Sequence, residues 1–369
     1  MPKALVFLTC ITCVLGATCV SQKANAQTAP SPEGDLSATD TTVLSYDFST
    51  TSQATLHGAI PFWQHANVYG HREASSQFNS TTDLWVRTLG QAWGSVNVNA
   101  GARLTSRLSD GGNTAHFSEL YGAMQHGAVR LRVGRFRHTM GGNSDALSLG
   151  SMVVSRNATP IPKIELSTPG FVTFPLSDGR LRVRAYWAEG QLGRNRHIPQ
   201  ARLHQKSLHV RAVGDRFSLT AGVTQNLQWA GRGRPGSWRQ YREILFSLTG
   251  GTVENTTAAY DVAASVDLNA WQIDAYRQFY LEDWVGLLFR SPWDGLWGVS
   301  VERDGRHWMS HFVYEFMNTI QQDALPGLPG GRAGYYTHHT YRSGWTYQGN
   351  VLGNPLIRNP GFRAIDNNL

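Results

Sequence analysis

Beyond residue 58 the chain is written in short runs whose apolar residues fall on every second position, and this period constrains the backbone more than any other feature. Successive side chains of a strand point to opposite faces, so period two marks strands as a 3.6 period marks helices. Across 180–187, Leu181, Val183, Ala185 and Trp187 share one parity, and Arg180, Arg182 and Arg184 hold the other. Val129, Leu131 and Val133 alternate with Arg130 and Arg132, and Phe217, Leu219, Ala221 and Val223 with Ser218, Thr220 and Gly222. Tyr260, Val262, Ala264, Val266 and Leu268 oppose Asp261, Ala263, Ser265 and Asp267, while Trp308, Phe312, Tyr314 and Phe316 oppose His311 and Glu315. Asp110-Gly111-Gly112-Asn113, Ser177-Asp178-Gly179 and Asp304-Gly305 fall between such runs and predict hairpin turns.

An alternating sheet can turn its apolar face inward, as a soluble sandwich, or outward, as a membrane barrel. The apolar faces here are rich in Trp and Tyr, of which there are 12 and 13, as interface girdles are. Charged residues make up only 16%, too few to cover a solvated sheet. No stretch beyond residue 26 approaches the ~20 apolar residues of a membrane helix, and the other structure that satisfies its backbone inside a bilayer is the closed barrel. The sequence therefore predicts an all-β protein, an antiparallel transmembrane β-barrel of roughly 14–18 strands.

The first residues read as an export signal. Lys3 precedes an apolar run over 4–20, and Ala24-Asn25-Ala26 is a small-x-small cleavage site before Gln27. A retained helical anchor is the alternative, but the run is at the lower limit for spanning. The expected division is a signal peptide over 1–26, a periplasmic linker or plug segment over 27–57 with room for a short helix, and the barrel over 58–369. The end at Leu369, without a terminal aromatic residue, leaves a truncated chain or a smaller barrel as the expectation. All three cysteines (Cys10, Cys13, Cys19) lie in the leader, so the exported chain has no disulfide, thiolate metal site or cysteine nucleophile. Its basic residues outnumber the acidic ones without forming a run that would suit nucleic acid, and beyond the leader only Lys163 and Lys206 are lysine. Arginine's planar fork suits carboxylate pairing better than lysine's point charge does.

Gly231-Arg232-Gly233-Arg234-Pro235-Gly236 matches a dinucleotide fingerprint, but Pro235 interrupts it, and an alternating run over 242–248 predicts a strand where the motif needs a helix. The same segment crowds Trp229, Arg232, Arg234, Trp238, Arg239, Tyr241 and Arg242 together. Rings stack on sugar faces and guanidinium forks pair with uronate carboxylates, so these seven are candidates for binding an acidic polysaccharide. A loop folded into the lumen, its arginines satisfying lumen acids, is the plainer alternative. Arg130, Arg132, Arg180, Arg182, Arg184 and Arg211 share the polar parity with Glu243, Asp261, Asp267, Asp274 and Glu315. Mixed signs predict a structural ladder of salt bridges bracing the interior, where a ring of one sign would predict an ion-selective pore. Two prolines within 157–163 exclude a central strand there and predict an in-folded loop. The histidines lack metal-ligand spacing, Glu282 and Asp283 are adjacent and point apart on a strand, and no nucleophile elbow occurs. No enzyme, metal or cofactor is expected.

Several blocks resemble the Wzi family of capsule-assembly outer-membrane proteins. They are Pro61-Phe62-Trp63 with Ala66-Asn67-Val68-Tyr69-Gly70, Leu147-Ser148-Leu149-Gly150-Ser151, and Ser155-Arg156-Asn157-Ala158-Thr159-Pro160-Ile161-Pro162-Lys163. Leu203-His204-Gln205-Lys206-Ser207-Leu208, Asp294-Gly295-Leu296-Trp297-Gly298, Tyr341-Arg342-Ser343-Gly344-Trp345-Thr346-Tyr347 and Gly353-Asn354-Pro355 continue them in order. The resemblance implies a monomeric outer-membrane barrel, its lumen plugged by loops, that acts as a lectin, tethering exported capsular or extracellular polysaccharide to the cell surface. A porin for carbohydrates or other small solutes is the competing expectation.

Overall fold

The computed structural model describes residues 17–24, 43–92, 95–141, 147–246, 254–281, 293–305, 307–321 and 334–357. One antiparallel sheet of fifteen strands dominates it, and each long strand pairs with the next along the chain. The strands are β1 (Ala17–Ala24), β2 (Val43–Thr55), β3 (Phe78–Ala92), β4 (Val96–Ser109), β5 (Thr114–His126), β6 (Val129–Arg135), β7 (Pro162–Ser167) and the two-residue β8 (Val172–Thr173). There follow β9 (Leu181–Gln191), β10 (Arg202–Val213), β11 (Phe217–Trp229), β12 (Asn255–Asp267), β13 (Trp271–Leu281), β14 (Gly295–Arg303) and β15 (His311–Asn318). Two short helices, α1 (Phe62–His65) and α2 (Trp238–Phe246), and a small hairpin of β16 (Thr346–Tyr347) and β17 (Asn350–Val351) complete it. No helix among the described residues is long and apolar enough to cross a membrane.

The registers carry one apolar face from strand to strand. Leu131 lies beside Leu166, Leu166 beside Trp187, Leu208 beside Val223, Val262 beside Ala221, and Val299 beside Tyr314. On this face Leu131, Val133, Ile164, Leu166, Leu208, Leu219, Val262 and Phe316 are exposed. The opposite face buries Glu165, His209, Thr224, Asp261 and Gln278. A continuous exposed apolar band around a polar interior is stable when hydrocarbon surrounds it, and the fold is an antiparallel transmembrane β-barrel.

The connections are unequal. At one end β3–β4, β5–β6, β10–β11, β12–β13 and β14–β15 are joined by short links, and at the other stand the long segments 56–77, 136–161, 192–201, 230–254 and 319–345. Tight turns form at two of the three predicted places, closed by Gly112 N to Ser109 O at 3.1 Å and Arg180 N to Ser177 O at 2.9 Å, whereas Asp304-Gly305 opens a longer link to β15. Asp178 and Gly179 have φ of 48° and 80°, the left-handed pair that a type I′ turn needs.

Two expectations are corrected here. Val43–Thr55, assigned from its Ser and Thr content to the linker, is strand β2, with Leu44, Tyr46 and Phe48 exposed on the apolar face. The run over 242–248, expected as a strand, belongs up to Phe246 to helix α2. Ala17–Ala24, within the expected signal segment, lies as β1 against β2. Residues 27–42 and 358–369, where a periplasmic helix and the chain end were considered, and the pair Glu282 and Asp283 lie outside the described residues.

Candidate functional site

The long connections converge on the interior. Met140, Met152, Val154, Ala158 and Ile161 from 136–161, and Tyr335, Tyr336, Tyr341, Trp345, Tyr347 and Leu352 from 334–357, share one core with the inward-facing Tyr186, Ala188, Leu203, Tyr276 and Leu296. Hydrogen bonds run from segment to segment through this interior. Trp345 Nε1 donates to the carbonyl of Val153 at 2.6 Å, and the Tyr336 hydroxyl to that of Met152. Asn354 Nδ2 donates to Gly150 O at 2.8 Å, and Ser155 Oγ to Gly353 O at 2.6 Å. The wall holds this plug in turn: Gln278 Oε1 accepts from Met152 N at 2.9 Å, and the Glu315 carboxylate accepts from Ser148 Oγ at 2.6 Å and Leu149 N at 2.8 Å. The in-folded loop predicted over 157–163 ends at Ile161; Pro162 and Lys163 instead open β7, a strand paired on both sides, where proline is tolerated because it is the first residue.

A roof covers the plug. Arg232 N donates to Pro199 O at 2.8 Å and the Tyr341 hydroxyl to Ala230 O at 3.2 Å, stitching together 192–201, 230–237 and 334–347. Arg196 is buried beneath, donating to Thr346 O at 2.6 Å and to Gln228 Oε1 at 3.3 Å. Arg194, Arg232 and Arg342 are exposed on the roof, with Arg234 half-buried among them. The His338 ring stands 4.3 Å from His339 and 5.7 Å from Tyr341. Burial, with His339 and Arg234 nearby, lowers the His338 pKa to about 4, so at neutral pH its ring is an uncharged donor and acceptor. Burial pushes Tyr341 up to about 12.

The seven residues crowded in sequence are parted by the fold. Arg232 and Arg234 belong to the roof. Trp229 is 2% exposed, packed with Leu227, Ala230, Ile244 and Tyr241, and Arg202 lies over its ring at 5.0 Å. Trp238, Arg239, Tyr241 and Arg242 sit on α2, which rests against the outward face of the wall, since Leu227 and Trp229 share the apolar parity of Leu219 and Val223. Sequence alone did not show that the segments carrying Arg194, Arg232, and His338, Tyr341 and Arg342 meet, because they are distant in the chain.

The interior ladder forms in part. Arg132 grips Glu165 with two bonds of 2.9 and 2.7 Å, and Arg130 reaches the same carboxylate at 3.4 Å. Glu165 was hidden from the sequence reading by the prolines just before it. Arg184 donates to Gly141 O at 3.0 Å and Arg211 to Thr220 Oγ1 at 2.9 Å, partners without charge. Asp261 accepts from Gln278 at 2.6 Å and faces His209 at 2.9 Å, Asp274 meets Gln272 and Ser300, and Glu315 meets Tyr276 and the plug. Arg180 lies in a turn, and Arg182 and Asp267 are exposed. Glu243 is no part of the ladder: it lies on α2, exposed and paired with Arg239 at 3.1 Å. The described residues contain no group of three or more His, Cys, Asp or Glu able to hold a metal.

Fold and site together define a plugged transmembrane β-barrel whose long connections close one mouth under an arginine-bearing roof. The family described as capsule assembly protein Wzi matches residues 43–359, and the chain belongs to that family. Among solved structures it is similar to Wzi, an outer-membrane protein involved in group 1 capsule assembly in Escherichia coli and described as a carbohydrate-binding β-barrel. That likeness has a TM-score of 0.51 at 18% identity over 74% of this chain, which spans 58% of the length of the Escherichia coli protein. A variant porin of Rhodopseudomonas blastica matches at 11% identity with a TM-score of 0.30, over 66% of this chain and 90% of the porin. No curated protein matches the chain.

Proposed function

We propose that this is a non-enzymatic, monomeric protein of the bacterial outer membrane, exported by a signal whose cleavage removes β1 and leaves β2 to open the wall, that binds capsular or extracellular polysaccharide and anchors it to the cell surface. The roof is the observation that carries this reading. Barrels of the outer membrane face the periplasm with short turns and the outside with long loops, which puts the roof outside. Exposed Arg194, Arg232 and Arg342, with Arg234 half-buried among them, offer guanidinium forks to uronate carboxylates, and His338 and His339 offer ring edges to hydroxyls. The Wzi barrel it resembles is described as binding carbohydrate, which supports the same ligand class. The plug argues against a solute porin, since the segments that fill the lumen are bonded to the wall and to one another.

The test is deletion of the gene and complementation with the wild-type chain or with Arg194→Ala/Arg232→Ala/Arg342→Ala, scored by capsule staining and by polysaccharide released to the medium. Loss of the coat with free polysaccharide accumulating, restored by the wild type and not by the triple variant, is the expected result. An unchanged coat in the deletion strain would overturn the anchoring role.

A further inference from the structure

The outward face of β9, β10 and β11 changes character near the roof. On β9 it runs Leu181, Val183, Ala185, Trp187 and then Glu189; on β10, read towards the same end, Ala212, Val210, Leu208 and then Lys206, His204; on β11 Phe217, Leu219, Ala221, Val223 and then Gln225, beyond which Leu227 and Trp229 are covered by α2. Charged groups on the lipid side of a barrel are tolerated only near the interface, so this transition marks the upper limit of the hydrocarbon. Helix α2 lies over it. Lys206 Nζ donates to the carbonyls of Ile244 and Leu245 at 2.8 Å each, capping the last turn with a cation, and Ile244 packs on Leu227 and Trp229. Below the helix His204, fully buried, meets Glu189 at 2.6 Å.

The helix turns its other side outward. Trp238, Arg242 and Phe246 are spaced four apart with Arg239 between them, so all four occupy about one third of the circumference. Trp238 is 70% exposed and Phe246 81%. Aromatic residues flanking arginines on one face of a helix lying across the wall are the make-up of an interfacial helix. The ion pair of Arg239 with Glu243 is exposed and competes weakly for the guanidinium.

We infer that α2 is an interfacial helix that roofs the polar top of the outer wall and binds the phosphorylated headgroups of glycolipids in the surrounding leaflet through Arg239 and Arg242, with Trp238 and Phe246 set among the sugars and upper acyl chains. This rests on the outer-membrane reading and separates α2 from polysaccharide capture at the roof.

The test uses the full chain in vesicles of phosphatidylethanolamine with or without bisphosphorylated lipid A. Because the cysteines all precede residue 20, a single spin label at Trp238→Cys or Phe246→Cys is clean in the exported protein. Both labels are expected at headgroup depth by oxygen and nickel-chelate collision, and to lose mobility when lipid A is present. Labels that stay in bulk water in both vesicles overturn the inference. In Arg239→Ala/Arg242→Ala, retention of lipid A in native mass spectrometry is expected to fall about 30-fold, a tenfold loss or less per basic side chain being usual at a charged surface, while polysaccharide binding holds. A double variant that keeps lipid A but loses polysaccharide overturns the inference and returns α2 to the roof. Silent labels with intact capsule anchoring would sink only the helix assignment, whereas loss of anchoring in the roof variant alone leaves it standing.

Discussion

At the scale of single residues, burial of charge decides which positions matter. Glu165 is wholly buried and holds two guanidiniums, so Glu165→Ala strips Arg132 of the carboxylate it grips with two bonds and Arg130 of the one it reaches. Breaking a buried pair from one side costs about 3–5 kcal/mol, and urea unfolding from detergent micelles should show a loss of that size, with Arg132→Ala costing less because Arg130 and Lys163 remain near the acid. His71, in the 56–77 connection, is buried near Arg137, Arg103 and Asp83, and burial above all lowers its pKa from 6.5 to about 3. The unfolded chain takes up that proton as pH falls through 6.5 and the folded chain does not until about 3, so folding stability is lost progressively across that window. Unfolding midpoints measured from pH 7 to 4 should slope downward in the wild type and more gently in His71→Gln. Neither residue was legible from the sequence, since period two shows which face a residue takes and nothing about which distant charge shares that face.

At the scale of elements, alternation identified β6, β9, β11, β12 and β15, whose apolar faces the registers bear out. It failed for β2, where Leu44, Tyr46 and Phe48 alternate with Ser45 and Asp47 but the surrounding Ser and Thr residues suggested a linker. For α2 it misled, because a helix of nine residues with Arg, Glu and apolar side chains interleaved can alternate by accident. A start signal was nevertheless present: Ser237 is followed three positions later by Gln240, and Ser237 Oγ accepts from Gln240 N at 3.1 Å. The helix depends on the wall through Lys206. Hydrogen bonds to a charged group are worth about 1.5–3 kcal/mol, so Lys206→Met should loosen α2 while leaving β10 intact. Amide hydrogen exchange is the measurement: faster exchange across 238–246 with protection of 202–213 retained is expected.

At the scale of the whole molecule, the sequence carried the barrel but only the outline of the site. A barrel follows from local patterning repeated along the chain, whereas the roof and plug depend on which connections meet, and Trp345 and Val153 carry no mark of each other. The filled lumen makes a definite electrical prediction: the purified protein in planar bilayers should be silent. Trp345→Ala removes a fully buried ring and its bond to Val153, a change that costs about 3–5 kcal/mol in well-packed cores, and should convert silence to brief flickering openings. A steady large conductance in the wild type would contradict a plug bonded to the wall.

The plug also sets an order in time. Each hairpin of the wall joins neighbours in the chain, and such local pairings close early and cheaply. The bonds between Trp345 and Val153, or Ser155 and Gly353, join residues 192 and 198 positions apart in the chain. A chain still emerging from its assembly machinery thus pairs β2 to β15 before 334–357 can meet 136–161, and passes through an interval with its stopper half built. Sealing waits on a segment that follows every long strand of the wall, so a cell that stalls or clips this protein between Asn318 and Trp345 would be left with a leak in its envelope.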